Sequence, residues 1–140
     1  MVSVNLSDLI YGFEFASAAG PFESSAFVDL DTGVVHCKAE DMGIDEDLPD
    51  DLETSERYIA IPHKNDFDLG RALALAFVEE TLPDDYDTAA GYFRSRGAYS
   101  RFKGLLDVRG VTRQWYDFES KAVESALRQW CEENDIQVVA

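Results

Sequence analysis

Residues 91–136 read GYFRSRGAYSRFKGLLDVRGVTRQWYDFESKAVESALRQWCEENDI, and they hold both tryptophans of the chain, Trp115 and Trp130. Ala98, Phe102, Leu105 and Leu106 recur at three- and four-residue spacing, with Arg101, Lys103 and Asp107 off the stripe. That is the period of an amphipathic helix. Gly110 follows at once, a residue suited to the left-handed backbone that ends helices. Thr112 is then placed to cap a second helix, its hydroxyl reaching a free N–H of the first turn. Beyond it Trp115, Phe118, Ala122, Ala126 and Trp130 share one stripe, widened by Tyr116, Val123 and Leu127. Arg113, Asp117, Ser120, Lys121, Glu124 and Arg128 fall outside it. The spacing predicts a helix–glycine–helix hairpin with an aromatic inner face that the rest of the chain must cover. Glu132 and Glu133 sit where the second helix's dipole is negative, which is mildly unfavourable unless a base is near.

Upstream, residues 86–94 read as a helical segment leading into the hairpin. Before it, Ala72-Leu73-Ala74-Leu75-Ala76-Phe77-Val78 is apolar on every side. Such a helix is buried all round, so it is expected at the centre of the core, capped by Asn65 or Asp66 and ended by Pro83. Leu6, Ile10 and Phe13 predict a short helix over 5–17, capped by Asn5 or Ser7 and broken by Gly20-Pro21. Residues 25–30 alternate, Asp31-Thr32-Gly33 is turn chemistry, and residues 34–38 return, which together predict a β-hairpin. Residues 58–61 read as a third strand closed by Pro62, and 136–139 as a short terminal strand. The expected fold is α+β: a small antiparallel sheet (hairpin plus one strand) packed against a central buried helix and a C-terminal helical hairpin, in a single domain over 1–140.

The totals narrow the function classes. A chain of 140 residues can bury roughly 70% of its unfolded surface. Its 46% hydrophobic content places it among globular proteins. No apolar run approaches the ~20 residues of a membrane span. The N-terminus lacks a basic region and carries Asp8, so it does not read as a secretory signal. Cys37 and Cys131 have no framework spacing and imply free thiols in a reducing compartment; a cytoplasmic location is expected. The net charge of −16 repels nucleic acid, anionic membranes and acidic substrates at long range. It is uneven, however. Residues 40–56 hold nine acids and no base, and are expected to form a mobile acidic loop. Residues 94–113 hold six bases, Arg94, Arg96, Arg101, Lys103, Arg109 and Arg113, against Asp107 alone.

Four features suggest chemistry, and each has a plainer explanation. Asp31-Thr32-Gly33 copies the tripeptide of aspartic proteases, and Asp29 with Asp31 copies the Asp-x-Asp of haloacid-dehalogenase-type phosphatases. A protease needs a second aspartate lobe and a phosphatase a parallel nucleotide-type sheet; a hairpin turn explains the residues without either. His36, Cys37, His63 and Cys131 lack metal-ligand spacing, and adjacent strand residues face opposite ways. Cys131 beside Glu132 and Glu133 is expected to have a raised thiol pKa, which argues against a nucleophile. The acidic loop lacks the spaced pattern of a calcium site. The run 92–103 interleaves aromatics with cations as single-strand binders do. The preferred explanation is that its aromatics are core and its bases offset the protein's own acids.

Gly97-Ala98-Tyr99-Ser100-Arg101-Phe102-Lys103, then Trp115-Tyr116-Asp117-Phe118 and the later Trp130, resemble elements of uncharacterised protein family 0158, a family of small bacterial proteins. The resemblance extends to the turn at 29–33 and the strand at 58–62, and covers most of residues 26–136. It implies a small intracellular bacterial protein and a shared fold; it implies no activity. No cofactor, metal or catalytic residue is assigned on this reading. The expected function is a non-enzymatic interaction or regulatory protein whose partner is another protein, with no membrane association. Two alternatives stand beside it: a nucleic-acid binder acting through residues 92–113, which the net charge disfavours, and an enzyme whose site is scattered along the sequence.

Overall fold

Asn5 closes one element and opens the next. In the computed structural model, which describes residues 1–17, 24–39, 48–49 and 51–139, strand β1 (Val2–Asn5) runs directly into helix α1 (Leu6–Ala16). The Asn5 side-chain oxygen accepts from the amides of Ser7 and Asp8 at 2.9 and 3.3 Å, so the cap is Asn5 and not Ser7. Such a cap stabilises a helix by about 1 kcal/mol. Leu9, Gly12 and Phe13 form the buried face of α1. Gly12 lets the helix lie close on a sheet: a Cβ there would stand 2.8 Å from Val35 Cγ1 and 2.9 Å from Ile61 Cδ1.

The chain divides into two compact units, Met1–Phe67 together with Glu124–Ala140, and Asp68–Val123. The first unit holds an antiparallel sheet of β2 (Ser24–Asp29), β3 (Val35–Ala39) and β4 (Tyr58–Ala60), in the order β3-β2-β4. The hairpin and third strand fall where their alternation predicted, and α1 is the helix that packs on them. The centre strand is buried from Ala26 to Asp29, whereas β3 is half-buried along its whole length. A second, two-stranded sheet pairs β1 in parallel with β5 (Ile136–Val139), Val2 opposite Ile136 and Asn5 opposite Val139. The sequence carried a signal for β5 but not for β1. Val-Ser-Val-Asn is too short to show alternation, and the helical spacing from Leu6 begins immediately.

The second unit is helical. It comprises α2 (Arg71–Thr81), α3 (Tyr86–Tyr92), α4 (Ala98–Arg109) and the start of α5 (Thr112–Glu133), which ends in the first unit. Its core is Leu73, Ala74, Phe77, Val78, Ala89, Phe102, Leu106 and Trp115. The Trp115 indole, 2% exposed, meets Phe102 and Phe77 edge-on at 5.0 and 5.4 Å. Such aromatic pairs are each worth about 0.5–1.5 kcal/mol beyond the area they bury. Gly110 ends α4 at φ 70°, its amide on the Asp107 carbonyl and that of Val111 on the Leu106 carbonyl, as the α4–α5 reading required.

Four details differ from the sequence reading. The Thr112 hydroxyl caps nothing; it donates to the Asp107 carboxylate at 2.6 Å. Neither Asn65 nor Asp66 caps α2, whose N-cap is Gly70 with no side-chain bond. The Asp66 carboxylate instead accepts from the His63 amide at 3.0 Å and serves a separate 3-10 turn, Lys64–Phe67. Helix α2 is not buried all round: Leu73, Ala74, Phe77 and Val78 are buried, while Ala72 and Ala76 face water. Alanine is the best helix former and its exposed methyl costs little, so alanine in a stripe is weak evidence of burial. Tyr116 does not widen the inner stripe of α5; it is half exposed. Of the predicted acidic loop 40–56, residues 40–47 and 50 lie outside the described residues. In the remainder Leu52 is buried and Glu53 pairs with Lys38 at 2.9 Å. Among the described residues, no helix is long and apolar enough to cross a membrane.

Candidate functional site

Asp29 holds the hairpin turn of the first unit in place. Its carboxylate, 4% exposed, accepts from Arg57 Nε and Nη2 at 2.9 and 2.8 Å and from the amides of Asp31 and Thr32 at 2.8 and 3.3 Å. The Arg57 guanidinium holds the carboxyl well below the usual carboxylate range, outweighing the upward push of burial, and its own pKa rises in return. Arg57 Nε also lies 3.4 Å from an Asp31 oxygen. A carboxylate so fully engaged is an anchor, and the two enzyme-like tripeptides are accounted for as turn and ion pair. Arg57 was invisible to sequence reading because it lies 28 positions from Asp29.

Gly33 seats that turn on the neighbouring sheet. Its φ is +79°, and a Cβ built on it would come 1.9 Å from the Ser3 carbonyl oxygen of β1. Glycine is therefore required twice over at this position, by backbone conformation and by close approach.

The hydrogen-bonding alternation of the three-stranded sheet decides what β3 presents to its outer side. The Ile61 amide donates to the Ala26 carbonyl at 2.8 Å and the Leu30 amide to the Arg57 carbonyl at 2.7 Å, so even-numbered residues of β2 face β4. The Asp29 amide donates to the Val34 carbonyl at 2.9 Å, so odd-numbered residues face β3. With Phe27 opposite His36 and Ser25 opposite Lys38, residues 34, 36 and 38 bond inward. The N–H and C=O groups of Val35 and Cys37 then point out of the sheet edge. Among the described residues, no strand pairs with that edge.

An open cleft of about 630 Å³ lies along it. Val35 and Cys37 line it from β3, Asp8 and Tyr11 from α1, Ser3 and Asn5 from β1, and Val139 from β5. Tyr11, Val34 and Val139, exposed by 63%, 51% and 40%, stand at its rim. Among the described residues, Asp8 is its one charged lining residue. The unit around it carries nineteen acids against four bases, a net of −15, whereas the second unit carries nine against eight. Lys38 pairs with Glu53, Arg57 with Asp29, and Arg128 with Glu124.

The six bases of residues 94–113 do not form one stripe. All are exposed, Arg94 and Arg96 in the turn before α4, Arg101, Lys103 and Arg109 on α4, and Arg113 at the start of α5. Arg101 and Lys103, two positions apart, project about 200° from each other. Arg109 forks onto Asp85 with both bonds at 3.0 Å, and Arg101 donates to the Ser95 hydroxyl at 2.8 Å. Among the described residues, Arg109 alone of the six makes an ion pair. Among the described residues the expected self-neutralisation shows as one pair, with Asp85 as its acid; residues 40–47 and 50 of the acidic stretch lie outside the described residues. Of the aromatics expected in the core, Phe102 is fully buried and Phe93 meets it at 5.9 Å, whereas Tyr99, edge-on to Phe93 at 5.3 Å, is 37% exposed.

His36, Cys37, His63 and Cys131 have separate surroundings. His36 packs edge-on against Tyr58 at 5.9 Å, and His63 Nδ1 accepts from the Asn65 amide at 3.0 Å. Cys37 faces the cleft, and Cys131 is fully buried. Burial pushes the Cys131 thiol up to about 11 and that of Cys37 up as well. For Cys131 the direction was legible in sequence, but the cause is burial rather than the neighbouring glutamates. Among the described residues, no group of three His, Cys, Asp or Glu is placed to hold a metal ion.

No curated protein and no solved structure matches the chain. Residues 5–140 do match one family model, described as Uncharacterised protein family (UPF0158), and on that coverage the chain belongs to this family.

Proposed function

We propose that this chain is a non-enzymatic interaction protein of the cytoplasm, and that its first unit binds a segment of another protein in the cleft beside β3. One observation carries the proposal. The outward backbone groups of Val35 and Cys37 lie in a cleft rimmed by the exposed apolar side chains of Tyr11, Val34 and Val139. Unpaired strand edges beside apolar side chains are what a polypeptide partner covers. Panning random peptides against the immobilised protein tests it, with Tyr11→Glu and Val34→Glu as counter-screens. Enriched peptides should lose about tenfold or more in affinity on either variant, the loss expected when an apolar contact is replaced by a charge. Peptides indifferent to both variants, or no enrichment, would contradict it.

A second reading, nucleic-acid binding through residues 92–113, draws support from the five exposed bases that make no ion pair among the described residues, on a unit of net charge −1. Against it stand the packed rings of Phe93 and Phe102, which leave few open faces for base stacking. Titration of a labelled oligonucleotide at physiological salt is expected to give no binding tighter than ~10⁻⁴ M. Micromolar affinity with a steep salt slope would favour this second reading.

A further inference from the structure

We infer that the partner segment is extended and cationic, and that it docks by adding a strand to the open edge of β3. The inference rests on the cleft being a protein-binding site and specifies what fits there.

The backbone argument comes first. An incoming strand on the outer side of β3 meets the N–H and C=O of Val35 and of Cys37, four groups at alternate positions of one strand. Only an extended backbone presents donors and acceptors at the matching two-residue repeat. Its alternate side chains would enter the cleft on the side of α1, against Tyr11 and Asp8. Native sheets blunt their open edges with charge or proline. Here the cleft-facing stretch of the edge is Val35 and Cys37, flanked by exposed Val34.

Charge then selects the occupant. Among the described residues the cleft lining holds Asp8 and no base, on a unit with a net charge of −15 in which Lys38, Arg57 and Arg128 are held in ion pairs. A second copy of this chain would bring a second such unit to the same edge, and that repulsion opposes self-pairing at ordinary ionic strength. A lysine- or arginine-rich strand is drawn to the same field, and its association would be fast and salt-sensitive.

The probes are short synthetic peptides alternating valine with lysine, and a counterpart alternating valine with glutamate, titrated against isotope-labelled full-length protein. The lysine peptide should bind and shift the amides of Val35 and Cys37, and the glutamate peptide should bind at least about tenfold more weakly. N-methylation of every second peptide amide removes the donors of one strand edge. One methylated series should lose about tenfold or more and the other should not, since only one edge faces β3. Asp8→Lys, a change at an exposed position, should weaken the lysine peptide and spare folding, read by unchanged amide dispersion elsewhere.

Equal affinity of the two charge types would overturn the cationic assignment and leave a protein-binding cleft standing. Indifference to both methylated series would overturn strand addition. Dimerisation of the free protein through Val35 and Cys37, seen by sedimentation and amide shifts, would assign the edge to a second copy instead. Panned peptides that bind the cleft without shifting the β3 amides would refute the docking mode alone. Failure of every peptide to reach the cleft would remove the underlying site as well.

Discussion

Replacing Gly33 by alanine probes the seating of the hairpin turn on β1, and the chain supplies its own control. Gly33 and Gly97 have nearly the same backbone, φ +79° and +76°. A side chain in the left-handed region costs about 1–2 kcal/mol at either position. At Gly97 that is the whole cost, because among the described residues no atom beyond its chain neighbours lies within 4 Å of the added Cβ. At Gly33 the Cβ would stand 1.9 Å from the Ser3 carbonyl oxygen, which belongs to a strand paired with β5 and cannot simply swing aside. Relieving such an overlap needs a backbone shift of the kind that costs about 1–3 kcal/mol in overpacked cores. Gly33→Ala should therefore cost about 2–5 kcal/mol and Gly97→Ala about 1–2. Urea unfolding read by tryptophan fluorescence measures both, since Trp130 lies in the first unit and Trp115 in the second. Equal losses for the two variants would refute the close approach of turn and strand.

Trp115→Ala should cost about 3–5 kcal/mol, given an indole 2% exposed and packed on Phe77 and Phe102. Both tryptophans should emit at blue-shifted wavelengths in the native protein, and a solvent-like maximum would contradict their burial. Asp29 has a folded pKa below its ordinary value of 3.8, so its stabilisation is present above about pH 4 and is lost as pH falls further. Asp29→Asn should be less stable than the native chain at neutral pH, and the gap should close in acid; a pH-independent gap in melting temperature would count against the Arg57 pair. Iodoacetamide should modify Cys37 in the native protein and leave Cys131 untouched until unfolding, because one lines an open cleft and the other is fully buried with a thiol near 11. Equal labelling under native conditions, read by mass spectrometry, would contradict that burial.

What could be read from the sequence was local. Asn5 before Leu6, the alternation on either side of Asp31-Thr32-Gly33, and the glycine stop at Gly110 all act within a few residues, and each appeared where its chemistry placed it. What could not be read depends on partners far apart in the chain. Strand β1 exists because Val2 to Asn5 meet Ile136 to Val139, and Asp29 is anchored by Arg57. The cleft is a product of such distant pairings. Its lining comes from both chain ends and from β3, so no contiguous motif announces it. The basic run 94–113 showed the opposite failure, since it is conspicuous in sequence yet disperses around α4 because positions two apart face away from each other. Net charge was likewise misleading as a single number, because −15 of the −16 belongs to the first unit.

Everything proposed for the cleft depends on β3 having an open outer edge, and amide hydrogen exchange of the free protein reads that edge residue by residue. His36 and Lys38, which bond inward to β2, should exchange slowly. Val35 and Cys37, on the same strand and between the same neighbours, should exchange at rates near those of exposed amides. Protection of Val35 and Cys37 equal to that of His36 would mean the edge is already covered, and would contradict both the docking site and its mode of binding.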